Sequence, residues 1–152
     1  MRLEGSFTIA APQARVWARI TDAALMAGCI PGCESIEVVD ARTYRAKVKI
    51  QVGPIGARFN LLVEVTEEQA PSRVLSVTRG EEGTRASIVA AENELVLIAR
   101  DAVTTEVRYA SEVSVTGRLG KFGLGVMKKK AQNLSEEFVA NFRTKVELEA
   151  AQ

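Results

Sequence analysis

The apolar positions change period several times along the chain, and those changes mark out its elements. Near the start, Leu3, Phe7 and Ile9 alternate with Glu4, Ser6 and Thr8, the period of two expected of a strand with one buried face. Pro12 stands where a helix takes its first turn, and Val16, Trp17 and Ile20 form an apolar stripe at helical spacing. A second short helix is expected from Asp22 to about Cys29, closed by Pro31 and Gly32. From Ser35 the period is again two. Ile36 and Val38 open a strand, and Tyr44, Ala46, Val48, Ile50 and Val52 share one face of the next, with Arg45, Lys47 and Lys49 on the other. After the turn signal at Gly53-Pro54, Phe59, Leu61, Val63 and Val65 carry a further inner face. Pro71 breaks the pattern, "RVLSVTR" forms a strand, "GEEG" a turn, and a strand from Arg85 runs through Leu95 and Leu97. In the last strand Val107, Tyr109, Ser111, Val113 and Val115 share a face.

From Phe122 the spacing becomes helical, with Met127, Ala131, Leu134, Phe138 and Phe142 recurring at intervals of four and three. That is one stripe of about 24 residues, roughly 36 Å of helix, from about Leu124 to Glu147. Six or seven antiparallel strands with one apolar face curl because sheets twist, and the long helix must bury its stripe against the concave side. One helix rarely fills so curved a sheet, so an apolar cavity between helix and sheet is expected. The expected class is therefore α+β, a helix-grip fold. A curved antiparallel sheet wraps one long C-terminal helix, with two short helices after the first strand. A single ligand-binding domain is expected over residues 1–148 and a short tail over 149–152.

The inward positions give a candidate lining. The helices and the turn after them contribute Trp17 and Ile30, and the sheet contributes Tyr44, Val48, Phe59, Leu61, Leu95 and Tyr109. Phe122, Leu124, Met127, Ala131 and Leu134 come from the segment that opens the long helix. Asn93 shares a face with Leu95 and Leu97 and is the expected polar anchor, while Glu92 and Glu94 face solvent.

Composition narrows the chemistry. The 152 residues suit one domain, and a net charge of +1 gives no general footprint for nucleic acid. No apolar stretch is long enough to span a membrane, and the N-terminus lacks a signal peptide's apolar run, so a cytoplasmic protein is expected. Histidine is absent, and Cys29 and Cys33 are the only cysteines. A structural zinc site usually takes four Cys or His ligands, and a thioredoxin-like pair has two intervening residues where this chain has three. No metal site is expected, and both cysteines read as small apolar residues around a turn.

Several motifs together carry a resemblance: Gly5-Ser6-Phe7, Ala11-Pro12 with Val16-Trp17, "CIPGCE" from Cys29 to Glu34, "VGPI" from Val52 to Ile55, Tyr109, and Gly117, Leu119, Gly120 and Gly123. With these, the chain resembles the CoxG family of carbon monoxide dehydrogenase subunits, within the START-like, polyketide-cyclase-like superfamily of helix-grip proteins. The resemblance runs from about Met1 to Phe142. It implies a non-catalytic accessory protein beside an aerobic carbon monoxide dehydrogenase-like molybdenum hydroxylase. Such a protein would bind an apolar ligand, expected to be a quinone, and link the enzyme to the cytoplasmic membrane. No covalently bound cofactor is implied. It also implies that Cys29 and Cys33 frame a turn at the cavity rim without ligating anything. Several family members carry a long C-terminal extension with a membrane-associating end. This chain stops at Gln152, so a tether of that kind is not expected.

The glycines of "GKFGLG" have the wrong spacing and setting for a dinucleotide fingerprint. With Phe122, Leu124 and Met127 between and after them, they read either as a mobile apolar gate over the cavity or as tight backbone packing. Arg118, Lys121, Lys128, Lys129 and Lys130 read either as a solvated face or as a basic collar meeting anionic lipid or an acidic partner. No nucleophile-and-base pairing stands out, so no catalytic residue is assigned. A hydrolase or cyclase using the same cavity, and a purely structural recruitment factor with a filled core, are the competing readings.

Overall fold

Each period-two segment becomes a strand of one sheet in the computed structural model, which describes residues 1–83 and 86–151. Strand β1 (Arg2–Ile9) is followed by helices α1 (Gln13–Ile20) and α2 (Ala23–Gly28). Strands β2 (Cys33–Asp40), β3 (Thr43–Val52), β4 (Ile55–Gln69), β5 (Arg73–Glu82), β6 (Ser87–Asp101) and β7 (Thr104–Gly117) come next. A 3-10 turn (Leu119–Phe122) then leads into α3 (Leu124–Ala150). The order across the seven-stranded sheet is β1-β7-β6-β5-β4-β3-β2, with every described pairing antiparallel. Of the strand expected from Arg85, the described part begins at Ser87; Arg85 itself, and Gln152 of the expected tail, lie outside the described residues. Pro12 sits just before α1 as its N-cap, and α3 runs past Glu147 to Ala150, so Glu149 and Ala150 are helix where a tail was expected.

Two separate clusters hold α3 on the sheet. Near its start, Met127 packs with Val52, Ala57, Phe59 and Leu119. Near its end, Phe142 and Val146 pack with Ile9, Val16, Ile20, Cys29, Leu97 and Val107. Polar contacts reinforce the second anchor: the Ala10 amide donates to Glu147 at 3.1 Å, and Arg19 pairs with Glu149 at 2.8 Å. About 22 Å of helix axis lies between Met127 and Phe142. This middle stretch bridges the hollow of the sheet.

The "CIPGCE" turn joins α2 to the edge strand. Asp22 caps α2 by accepting the Leu25 amide at 3.1 Å. Gly32 has a φ of +77°, and a Cβ there would collide with the Lys49 carbonyl oxygen, so this position needs glycine. The Lys49 amide in turn donates to the Gly32 carbonyl at 2.9 Å. Cys29 is buried in the core and Cys33 half-buried, and both thiols are free. Neither lines the cavity described below. Burial pushes the Cys29 thiol pKa up, an effect that nearby Lys145 opposes. Asn141 on α3 donates its Nδ2 to the Cys29 carbonyl at 3.0 Å, so the end of α2 hangs from the long helix.

Two outcomes follow from this arrangement. In the folded protein at pH 8, iodoacetamide should modify Cys33 well before Cys29, whose thiolate is both scarce and covered. Peptide mass spectrometry showing equal rates would contradict the burial. Asn141→Ala should lower the unfolding free energy by about 1 kcal/mol in urea, with an unchanged slope; a variant with parental stability would mean the α2 tie is idle.

Candidate ligand cavity

Beneath the middle of α3 lies a cavity of about 340 Å³. Leu134, Ser135, Phe138, Val139 and Phe142 form its roof. The inward faces of β3 to β7 form the floor, from Tyr44 through Leu61, Val63 and Val65 to Val74, Leu95 and Val107. Ala23, Met26, Ile30 and Pro31 of α2 and its following turn, with Ala41 and Arg42 of the β2–β3 turn, surround the mouth. Arg42 and Glu94 are the charged residues that border the lining; Glu94, directly opposite Leu75, carries its carboxylate on the outer face, as expected, where Arg73 holds it at 2.6 Å.

One polar group interrupts the apolar floor. Ser76, Asn93 and Ser111 stand directly side by side across β5, β6 and β7, and Thr78 lies two positions along β5. Asn93 Nδ2 donates to Ser76 Oγ at 3.3 Å and to Thr78 Oγ1 at 3.1 Å, and Ser111 Oγ donates to Asn93 Oδ1 at 2.8 Å. The amide is thus fixed by three neighbours, none of them charged.

Tyr109 closes the side toward β1. It is paired with Gly5 in the sheet, and a Cβ at Gly5 would strike the tyrosine ring and hydroxyl, so the glycine lets the ring lie across β1. Phe7 meets Tyr109 and Phe142, each with ring centroids 6.4 Å apart. Beyond Tyr109 and Ser135 lies a smaller polar cleft of about 200 Å³, bounded by Leu3, Glu4, Gln132 and Glu136. Tyr44 is almost wholly covered, and burial pushes its hydroxyl pKa up, helped by the neighbouring Cys29 and Cys33, so it stays protonated.

The expected lining residues divide into two groups. Ile30, Tyr44, Leu61, Asn93, Leu95, Tyr109 and Leu134 come together around the cavity. Trp17, Val48, Phe59, Phe122, Leu124, Met127 and Ala131 do not reach its lining. Trp17 packs against the cluster around Phe142, and Val48 is buried in β3. Phe59, Met127 and Phe122 belong to the cluster that packs the other end of the sheet. Ala131 is half-buried between that cluster and Leu134, and Leu124 is 68% exposed. The segment read either as a gate or as tight packing is split: Gly120 lies close against the Val115 carbonyl oxygen and Phe122 is half-buried, whereas Gly123, Leu124 and Gly125 are exposed with open space at both glycines. Just before it, Leu119 is buried and its amide donates to the buried Ser87 Oγ at 3.0 Å.

Arg118 is paired with Glu82, whereas Lys121, Lys128 and Lys129 are exposed and Lys130 is half-buried. These lysines flank the exposed Leu124 and Val126. Arg42 and Tyr44 mark the mouth at one end of β3, while Val52 packs with Met127 at the other. The basic tip and the Arg42 side of the cavity therefore lie toward opposite ends of β3. Reading by residue type passes over Ser76, Thr78 and Ser111. In β5 the polar Ser76 and Thr78 face the cavity while the apolar Leu75 and Val77 face away, the reverse of the usual amphipathic rule.

Among the described residues no group of three or more Cys, Asp or Glu side chains is placed to hold a metal ion, and no helix is long and apolar enough to cross a membrane. The fold recurs in solved structures. A conserved protein from Geobacillus kaustophilus is 23% identical and superposes with a TM-score of 0.87, over 96% of this chain and 95% of that one. A START superfamily protein from Mycobacterium smegmatis is 14% identical with a TM-score of 0.76, over 97% of both chains. The aromatase/cyclase ZhuI from Streptomyces sp. R1128 is 16% identical with a TM-score of 0.66, over 97% and 93%. At these identities the likeness concerns the fold. No curated protein matches the sequence. The model of the carbon monoxide dehydrogenase CoxG family matches residues 5–147, and the chain belongs to that family.

Proposed function

We propose that the protein is a non-catalytic carrier of an uncharged apolar ligand, a quinone, serving a carbon monoxide dehydrogenase-type molybdenum hydroxylase. The observation that carries this reading is the cavity itself: about 340 Å³, largely apolar, with a single uncharged polar cluster. That size and polarity suit one small ligand or the head and first tail units of a longer one. Family membership supports the choice of partner enzyme.

The chemistry of the lining weighs against catalysis by the same cavity. A general acid or base needs a titratable group free to exchange protons near the substrate. Glu94 points to the outer face of the sheet and is held by Arg73, and burial holds the Tyr44 hydroxyl protonated. The open volume weighs against a purely structural recruitment factor, whose core would be filled. Peripheral membrane contact would come from the tip where Leu124 and Val126 stand among Lys121, Lys128 and Lys129. Peripheral attachment generally takes an apolar and a basic signal together. The tip and the Arg42 side of the cavity lie toward opposite ends of β3, so the tip would tether the protein and leave that side free for the partner enzyme or the ligand.

Binding of 2-methyl-1,4-naphthoquinone, followed by Trp17 fluorescence or calorimetry, tests the carrier reading. Leu134→Glu, which puts a charge into the roof, should weaken binding by about tenfold or more, whereas Leu124→Ser should leave it unchanged. Equal effects of the two, or no binding to the parent, would remove the cavity as the site. For the tip, the parent should associate weakly with phosphatidylglycerol vesicles and release as salt rises, and Lys128, Lys129 and Lys130 changed together to Gln should bind less. If parent and triple variant behave alike, the lysines are a solvated face.

A further inference from the structure

The hydrogens of the polar cluster are unevenly spent. Asn93 uses its amide group to donate to both Ser76 and Thr78, so each of those hydroxyls acts as acceptor in that bond. Each hydroxyl keeps its own hydrogen. Both side chains line the cavity, and neither donates in any described hydrogen bond. The cluster therefore presents two hydroxyl donors to the cavity, aimed from β5 and backed by an amide that Ser111 keeps in place. Arg42 is the cation of the lining, and among the described residues no other cation lines the cavity.

An apolar track leads away from these donors. In the sheet register Thr78 lies beside Val63, Val63 beside Tyr44, and Tyr44 beside Val38 on the edge strand. Strand spacing makes this row about 14 Å long. Val38 faces the same side as Tyr44 yet is 50% exposed, and Ile36 on the same face is 43% exposed, both on the edge strand beyond the cavity lining.

On the carrier reading, we propose that the ligand enters head first. Its carbonyl oxygen accepts hydrogen bonds from Ser76 and Thr78, Asn93 acts as the positioning residue, and its apolar tail leaves along Val63, Tyr44 and Val38. The ligand class is an uncharged carbonyl compound. A carboxylate in the same place would be stripped of water without a counter-charge and is disfavoured.

The test compares 2-acetonaphthone, 2-ethylnaphthalene and 2-naphthoate at pH 7 by calorimetry, with the parent, with Ser76→Ala/Thr78→Val and with Thr78→Val alone. The ratio of ketone to hydrocarbon affinity cancels general hydrophobicity. It should fall about tenfold in the double variant, and by less in the isosteric single variant, while hydrocarbon binding stays at parental strength. The infrared carbonyl stretch of bound ketone should lie lower in the parent than in the double variant. The parent should bind the carboxylate more weakly than the ketone. An unchanged ratio and carbonyl stretch would overturn the assignment of the donors while leaving the carrier reading intact. Tightest binding of the carboxylate would move recognition to Arg42 and overturn it as well. Failure of the parent to bind any of the three would remove the carrier reading itself.

Discussion

The attachment of α3 at two separate places governs the rest of the structure. Met127 fixes its beginning and Phe142 and Val146 its end, each in its own apolar cluster. A strongly twisted sheet curves away between two such points, while a helix stays nearly straight. The gap is therefore a geometric result of anchoring a rod at both ends of a trough. Side chains on the middle turns, Leu134 and Phe138 among them, reach toward the sheet without filling it. A packed interior normally leaves few voids larger than a water molecule, so a gap of this size is a maintained feature.

Much of this is legible in the sequence. Alternation in "YRAKVKIQV" and in the segment around Phe59 sorts inward from outward residues correctly, because Lys and Arg mark the solvent face without ambiguity. The stripe from Met127 to Phe142 announces the helix. It does not reveal which stripe positions are anchors and which overhang the cavity, since Met127 and Leu134 are equivalent by periodicity. That distinction depends on how far the sheet has curved away at each point, a property of strands distant in sequence. Periodicity alone therefore assigns Phe59, Phe122 and Met127 to a lining, whereas they form a plug.

The polar cluster is hidden for a different reason. Asn93 stands out because it interrupts an apolar strand, but Ser76 and Thr78 alternate with Leu75 and Val77, which claim the inner face by hydrophobicity. Ser76 and Thr78 face inward because neighbouring registers fix β5, with Val74 buried beside Leu95. A strand cannot be flipped by its own side chains once both partners are in place. The glycines after β7 are ambiguous for a related reason: a glycine tolerates both motion and close approach. Here the short turn is held by buried Leu119 and Ser87.

The functional account rests on one claim, that the space under α3 holds an uncharged apolar molecule in the living cell. Native mass spectrometry of the protein isolated from its own host, under conditions that preserve non-covalent complexes, addresses it most directly. The account predicts a population heavier than the chain by the mass of a neutral lipophilic compound, lost in a roof variant such as Leu134→Glu. A bare mass from every preparation, together with no uptake of added quinone, would contradict it.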